Sequence, residues 1–214
     1  MNADILVTYA MSVPAILLAV AVHEFTKALT STILGDTAPK NDRRLTLNPF
    51  NHFEPIGFIF MLFLGFGWGK PVRTSGVYYK NRKLGTVITY TAPILANIVF
   101  SLALALLNGL ILFYLKDYLD YEVSYYIKRF ISIFIQYNLN LAVFNIIPVA
   151  PLCGNRIMTA FMTPNNALKV TQYEKVFQII LVMLMLFGFV GSVINPIINC
   201  FIDFYNSLIW ILFY

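Results

Sequence analysis

The chain has 214 residues, 59% of them hydrophobic and 12% charged, where an ordinary soluble domain is about 25% charged. That composition excludes a water-soluble globular fold. It also excludes nucleic-acid binding despite the formal net charge of +5, because the basic residues lie mostly between apolar segments, as the loops of a membrane protein require. The 19 Phe and 13 Tyr suit lipid-facing bulk and headgroup-level anchors. The length allows a single membrane-embedded domain, 1–214. Cys153 and Cys200 have no CxxC spacing and imply no disulfide framework.

Residues 5–22 are apolar enough to span, and their helical pattern runs on to Gly35, which reads as a C-terminal stop. The start of the chain lacks the basic flank and small-residue cleavage site of a signal peptide, so this helix reads as retained. Residues 36–54 are polar. The apolar run 56–66 after them is too short to span and reads as a re-entrant or interfacial element, and residues 68–79 as a small β-ribbon.

A second apolar segment covers 84–115, followed by a loop with Asp117, Asp120 and Glu122, and a third covers 130–152, where Pro148 and Pro151 force the chain out of regular helix. Residues 176–198 read as a fourth span interrupted by Gly188, Gly191 and Pro196, and 200–214 as an interfacial helix or part of a fifth segment. The expected fold is an all-α polytopic membrane protein with four to five spans. Between Asp36 and Lys83 there are eight Lys or Arg against three acids, which places that loop in the cytoplasm and the N-terminus outside.

His23, Glu24 and Lys27 lie close together on the first helix, where each ionisable group costs about 2.5 to 3.5 kcal/mol to insert. His23-Glu24-Phe25-Thr26-Lys27 matches the zinc-protease pattern H-E-x-x-H at its first two positions and fails at the fifth. Taken alone, an HE pair also fits a polar pair packed inside a bundle.

Further segments resemble, in order, the signatures of compact bacterial site-2 proteases, which are intramembrane zinc metalloproteases. They are Gly35-Asp36, Arg44-Leu45-Thr46-Leu47-Asn48-Pro49, His52-Phe53-Glu54-Pro55-Ile56-Gly57 and Gly67-Trp68-Gly69-Lys70-Pro71-Val72. Ala92-Pro93 with Asn97 is similar to the family's G-P-x-x-N element. Residues 144–156, with Asn145, Pro148, Pro151, Cys153, Gly154 and Arg156, are similar to its N-x-x-P-x-x-P-x-D-G-x-R motif. The resemblance implies a zinc held by two His and an Asp, a Glu general base at Glu24, and a site lined by Asn97, Asn145, Pro148, Pro151 and Gly154. Its substrates would be transmembrane segments of other proteins.

The sequence departs from that pattern at two ligand positions. Lys27 stands where the second His belongs, and Cys153 where the Asp belongs. A thiolate ligates zinc well, but an ammonium has donors and no acceptor. His23 and Cys153 leave a ligand set of two, and the remaining histidine, His52, reads as a loop brace rather than a ligand.

Charge offers another arrangement. The family site balances a dication against two carboxylates, whereas Lys27 and Glu24 at i, i+3 would neutralise each other without metal. The leading expectation is therefore a zinc-poor, catalytically inactive or impaired homologue in the bacterial cytoplasmic membrane that binds transmembrane segments of partner proteins. The alternative is an active intramembrane zinc metalloprotease. A third, from another class, is a proton-linked transporter using His23, Glu24 and Lys27, which proton-coupled flux in liposomes would reveal.

Overall fold

In the computed structural model, residues 3–115 and 118–213 are described. Lys116 and Asp117 of the predicted acidic loop, Met1 and Asn2 at the start and Tyr214 at the end lie outside them.

The first helix, α1 (Ala3–Ile33), is continuous through its apolar stretch and the His23 motif. It stops because Gly35 adopts φ +108, with the Gly35 amide donating to the Thr32 carbonyl and the Asp36 amide to the Ser31 carbonyl. This pair of bonds is the Schellman ending that a left-handed glycine permits. Asp36 is fully buried, where its carboxylate accepts from the Ser31 hydroxyl and the Ala38 and Ser75 amides. The loop is thereby tied back to the helix end.

A short turn α2 (Ala38–Asn41) and a 3-10 turn (Pro49–His52) lead to α3 (Pro55–Leu64). That helix is capped by the Glu54 side chain on the Gly57 amide and closed by Gly65 at φ +81. It is the apolar element expected at 56–66, ten residues long, packed beside α1.

The expected β-ribbon at 68–79 is not formed, and no strand occurs among the described residues. The segment runs as coil into a 3-10 turn (Gly76–Tyr78), with its amides bonded outward to α1 and the loop. Lys70 donates to the His52 carbonyl, Val72 to Glu24 and Ser75 to Asp36. With donors committed to partners other than a neighbouring strand, the alternating pattern has no ladder to join.

Then come α4 (Arg82–Leu115) and α5 (Tyr121–Phe144). The latter begins nine residues before the apolar stretch and ends at Phe144, inside the stretch whose last part was expected to leave regular helix. Pro148 excludes further helix, and residues 145–152 form turns. Short helices α6 (Cys153–Ala160) and α7 (Pro164–Gln172) follow.

The expected fourth span is interrupted at the first of its three marked positions. It divides at Gly188, φ +77, into α8 (Glu174–Leu186) and α9 (Phe189–Phe213). The 200–213 stretch continues α9 without a break, and Pro196 sits inside it.

Helices α1, α4 and α5 pack on one another, with α9 against α4 and α5 and α6 against α4. Ile16, Ala19 and Val20 of α1 meet Met61 and Leu141, and a larger cluster joins Phe66, Leu139, Phe144, Leu152, Leu181 and Ile198. Three helices, α1, α4 and α9, are long and apolar enough to cross a membrane. Their outer faces expose Leu6, Leu95, Val99, Val193, Ile211 and Leu212, an apolar surface that only lipid can satisfy. The polar residues of α5, Asn138 and Asn140, turn inward and are buried.

Candidate functional site

The site is the meeting point of α1, α4, the end of α5, the start of α6 and the coil 66–73. His23, Glu24 and Lys27 each have 4% or less of their surface exposed.

Lys27 Nζ lies 2.7 Å from Glu24 Oε1 in an i, i+3 ion pair, and the Val72 amide donates to the other carboxylate oxygen at 2.8 Å. The Tyr90 ring faces the ammonium, 5.8 Å from Nζ to the ring centroid, and Tyr90 exchanges a hydrogen bond of 2.8 Å with Thr74. Both oxygens of the family's general base are thus occupied by this chain's own donors.

The imidazole of His23 bridges two elements, with Nδ1 2.9 Å from Asn97 Oδ1 on α4 and Nε2 3.3 Å from Cys153 Sγ on α6. Its tautomer follows from the amide beside it. Asn97 Nδ2 donates to the Ala19 carbonyl and to Asn138 Oδ1, so Asn97 Oδ1 is the acceptor facing the ring. His23 Nδ1–H therefore donates, Nε2 carries the lone pair, and the Cys153 thiol donates to it. Asn138 in turn donates to the Phe134 carbonyl, which orients the chain of amides from α5.

The start of α6 is set by Asn145. Its side-chain oxygen accepts from the Cys153 amide at 3.2 Å and its carbonyl from the Gly154 amide at 2.8 Å, satisfying two of the first amides of the helix. A Cβ on Gly154 would lie 2.1 Å from the Ile146 carbonyl oxygen, so only glycine fits this return of the chain. Gly69 plays the matching part on the other side. A Cβ there would meet Val20 Cγ1 at 2.3 Å, so its absence lets the coil lie against α1.

Of the residues expected to line the site, Pro151 and Asn145 border a cavity of about 10 Å3 that also touches His23, Glu24, Lys27 and Trp68. That volume is close to the minimum for one water molecule. Asn97 and Gly154 support the site from behind, and Pro148 is exposed on the turn before α6.

His52 lies in the loop, fully buried, with Nε2–H on the Thr46 carbonyl at 2.8 Å and Nδ1 accepting from Arg44 at 3.1 Å. Burial, assisted by the Arg44 guanidinium, holds its imidazole below the ordinary value. Tyr90 and the Val72 amide are the functional groups that sequence reasoning missed. Tyr90 stands seven residues before Asn97, on the same face of α4, and that spacing is the signal that could have found it.

The donor set does not fit zinc. His23 and Cys153 supply two ligand atoms, hydrogen-bonded to each other. The position of the third holds a cation paired to Glu24. Among the described residues no three His, Cys, Asp or Glu side chains are placed to hold a metal ion.

Residues 49–188 match the model of peptidase family M50. The chain is also 33% identical over 177 residues, 83% of its own length and 80% of the relative's, to the Bacillus subtilis (strain 168) protein named "Putative zinc metalloprotease YwhC". No solved structure matches it. The chain belongs to peptidase family M50, the site-2 protease family. With its apolar helices, that membership makes it an integral membrane protein. The family match contains Asn97, Asn145 and Cys153 but begins after the helix that carries His23 and Glu24.

Proposed function

We propose that this protein is a zinc-free relative of the site-2 proteases, spanning the bacterial cytoplasmic membrane several times, that receives transmembrane segments of partner proteins without cutting them. The observation that carries this reading is the Lys27–Glu24 ion pair, 2.7 Å long and buried. It supplies within the chain the positive charge that a metal would bring, and it engages the carboxylate that would otherwise act on water.

A receptacle for a segment lies next to it. A hollow of about 710 Å3 between α3 and α8, lined by Phe60, Trp68, Leu181 and Val182, reaches Pro71 and Pro151 at the edge of the small cavity beside Glu24. Its walls are mostly apolar, as a membrane segment requires.

The other reading is an active zinc metalloprotease. It is favoured by the 3.3 Å approach of His23 Nε2 and Cys153 Sγ, two ligand-type atoms, and by the name of the Bacillus relative. Elemental analysis of protein purified without chelator, beside a cleavage assay on a generic transmembrane substrate, separates the two. The zinc-free reading expects nearly metal-free protein and no cleavage. Stoichiometric zinc that is lost on His23→Ala, together with Glu24-dependent cleavage, overturns it.

A further inference from the structure

Loop residues 42–51 and the coil 70–73 enclose a second hollow, of about 650 Å3, which shares Pro71 with the small cavity beside Glu24. Its lining includes Arg43, Arg44, Lys70 and Arg73, with Asp42 as the one carboxylate. None of the four cations takes part in an ion pair among the described residues.

Arg44 is the informative one. It is only 7% exposed, and a guanidinium keeps its charge at any accessible pH. One of its terminal nitrogens bonds His52 Nδ1 and the Lys70 carbonyl, both of them neutral acceptors. Its Nε–H is buried without a partner. A buried charge is costly unless it is paired, and although the Asp42 and Glu24 carboxylates act on Arg44 from a distance, neither is within ion-pair reach of it.

The backbone beside it is also unusual. Arg43 has φ +55, a left-handed conformation that a long side chain adopts at a cost and that gathers at binding sites. The Asn51 side-chain Nδ2 donates to the Arg43 carbonyl at 3.5 Å. Two adjacent arginines are thus held at one hollow, Arg44 by bonds from its head and Arg43 by its backbone.

The same lining carries Phe50, which is 75% exposed, and Leu47 is exposed on the same connection. A free inorganic anion gives these apolar side chains nothing to cover them. A phospholipid supplies a phosphate and an acyl region in one molecule, and the excess of basic residues on this connection is what draws it to an anionic leaflet. We propose that the hollow binds the phosphate of an anionic phospholipid headgroup among Arg43, Arg44, Lys70 and Arg73, with Phe50 set against the start of the acyl chains.

The test uses the whole chain in neutral detergent, with thermal unfolding followed as phosphatidylglycerol, phosphatidylcholine or inorganic phosphate is added. Two double variants with equal charge loss are compared: Lys70→Gln with Arg73→Gln inside the hollow, and Lys80→Gln with Arg82→Gln outside it. Phosphatidylglycerol is expected to raise the unfolding temperature of the wild type, and the concentration needed is expected to rise about 30-fold in the first variant and to stay near wild type in the second. Native mass spectrometry of the wild type should show phosphatidylglycerol carried through purification, a reading independent of how well the variants fold. Equal effects of the two lipids, equal losses in the two variants, absence of a retained anionic lipid, or an equal shift with inorganic phosphate would each overturn the proposal.

Discussion

The ammonium of Lys27 lies 2.7 Å from Glu24 Oε1, one turn back on the same helix, at the two positions where the family pattern has a metal ligand and a general base. Within the bilayer each charge alone is expensive, and together they are tolerated because each is the other's counter-ion.

Removing one partner should therefore cost more than removing both. Lys27→Ala is expected to lower stability by about 3 to 5 kcal/mol, the loss typical of a buried pair broken on one side. Glu24→Gln combined with Lys27→Ala should lose less than the sum of the single changes. Thermal unfolding in detergent of the two single variants and the double variant measures this, and simple additivity would mean that the side chains do not interact.

Restoring ligands should restore metal. Lys27→His re-creates an i, i+4 pair of imidazoles on one face of α1, and Cys153→Asp returns a carboxylate to the start of α6. The double variant should bind about one zinc per chain, and Lys27→His alone is expected to bind it as well, because Cys153 is itself a ligand. Elemental analysis of wild type, single variants and double variant is the measurement, with failure of the double variant to take up zinc counting against preserved family geometry.

The basic connection should face the cytoplasm. Cysteine labelling or reporter fusions are expected to place Lys80 on the cytoplasmic side and Asp120 on the opposite side, with α4 between them. Modification of both positions from one side would show that α4 does not cross.

Acidification should loosen the loop through His52. Its imidazole is buried neutral, accepting from Arg44 and donating to Thr46, and burial depresses its affinity for a proton. The unfolded chain binds that proton more readily. Stability is thus unaffected well above about pH 6.5 and declines as the pH falls below it. Unfolding followed across that range should show a smaller pH slope in His52→Gln than in the wild type, and an unchanged slope would remove His52 from the account.

Much of α1 was legible because its signals are local. The apolar run, the glycine stop at Gly35 and the i, i+3 spacing of Glu24 and Lys27 need no other part of the chain to take effect. The ribbon at 68–79 was misread for the opposite reason. Alternation describes how side chains divide between two faces, but a strand also needs a partner for its amides, and here those amides go to Glu24, His52 and Asp36. The early start of α5 was hidden by composition, and of the three interruptions expected at 176–198 only Gly188 ends a helix. Tyrosines and charges at 121–129 lowered the apolar signal of a helix whose inner face is buried, and an isolated glycine does not announce whether it bends a helix or ends it.

By itself the sequence determined that the chain lives in lipid, that His23, Glu24 and Lys27 share a helix, and that Lys27 and Cys153 replace the expected ligands, since composition, spacing and residue chemistry are properties of the chain before it folds. Only the tertiary structure decided which way the His23 ring is protonated, because that depends on Asn97 being oriented by Ala19 and Asn138 from two other helices. It also decided that Val72 closes the second oxygen of Glu24, and that Arg44 is buried with no carboxylate within ion-pair reach among the described residues. These relations join residues tens of positions apart, and their free energy comes from burial and exclusion of water, which no local spacing records.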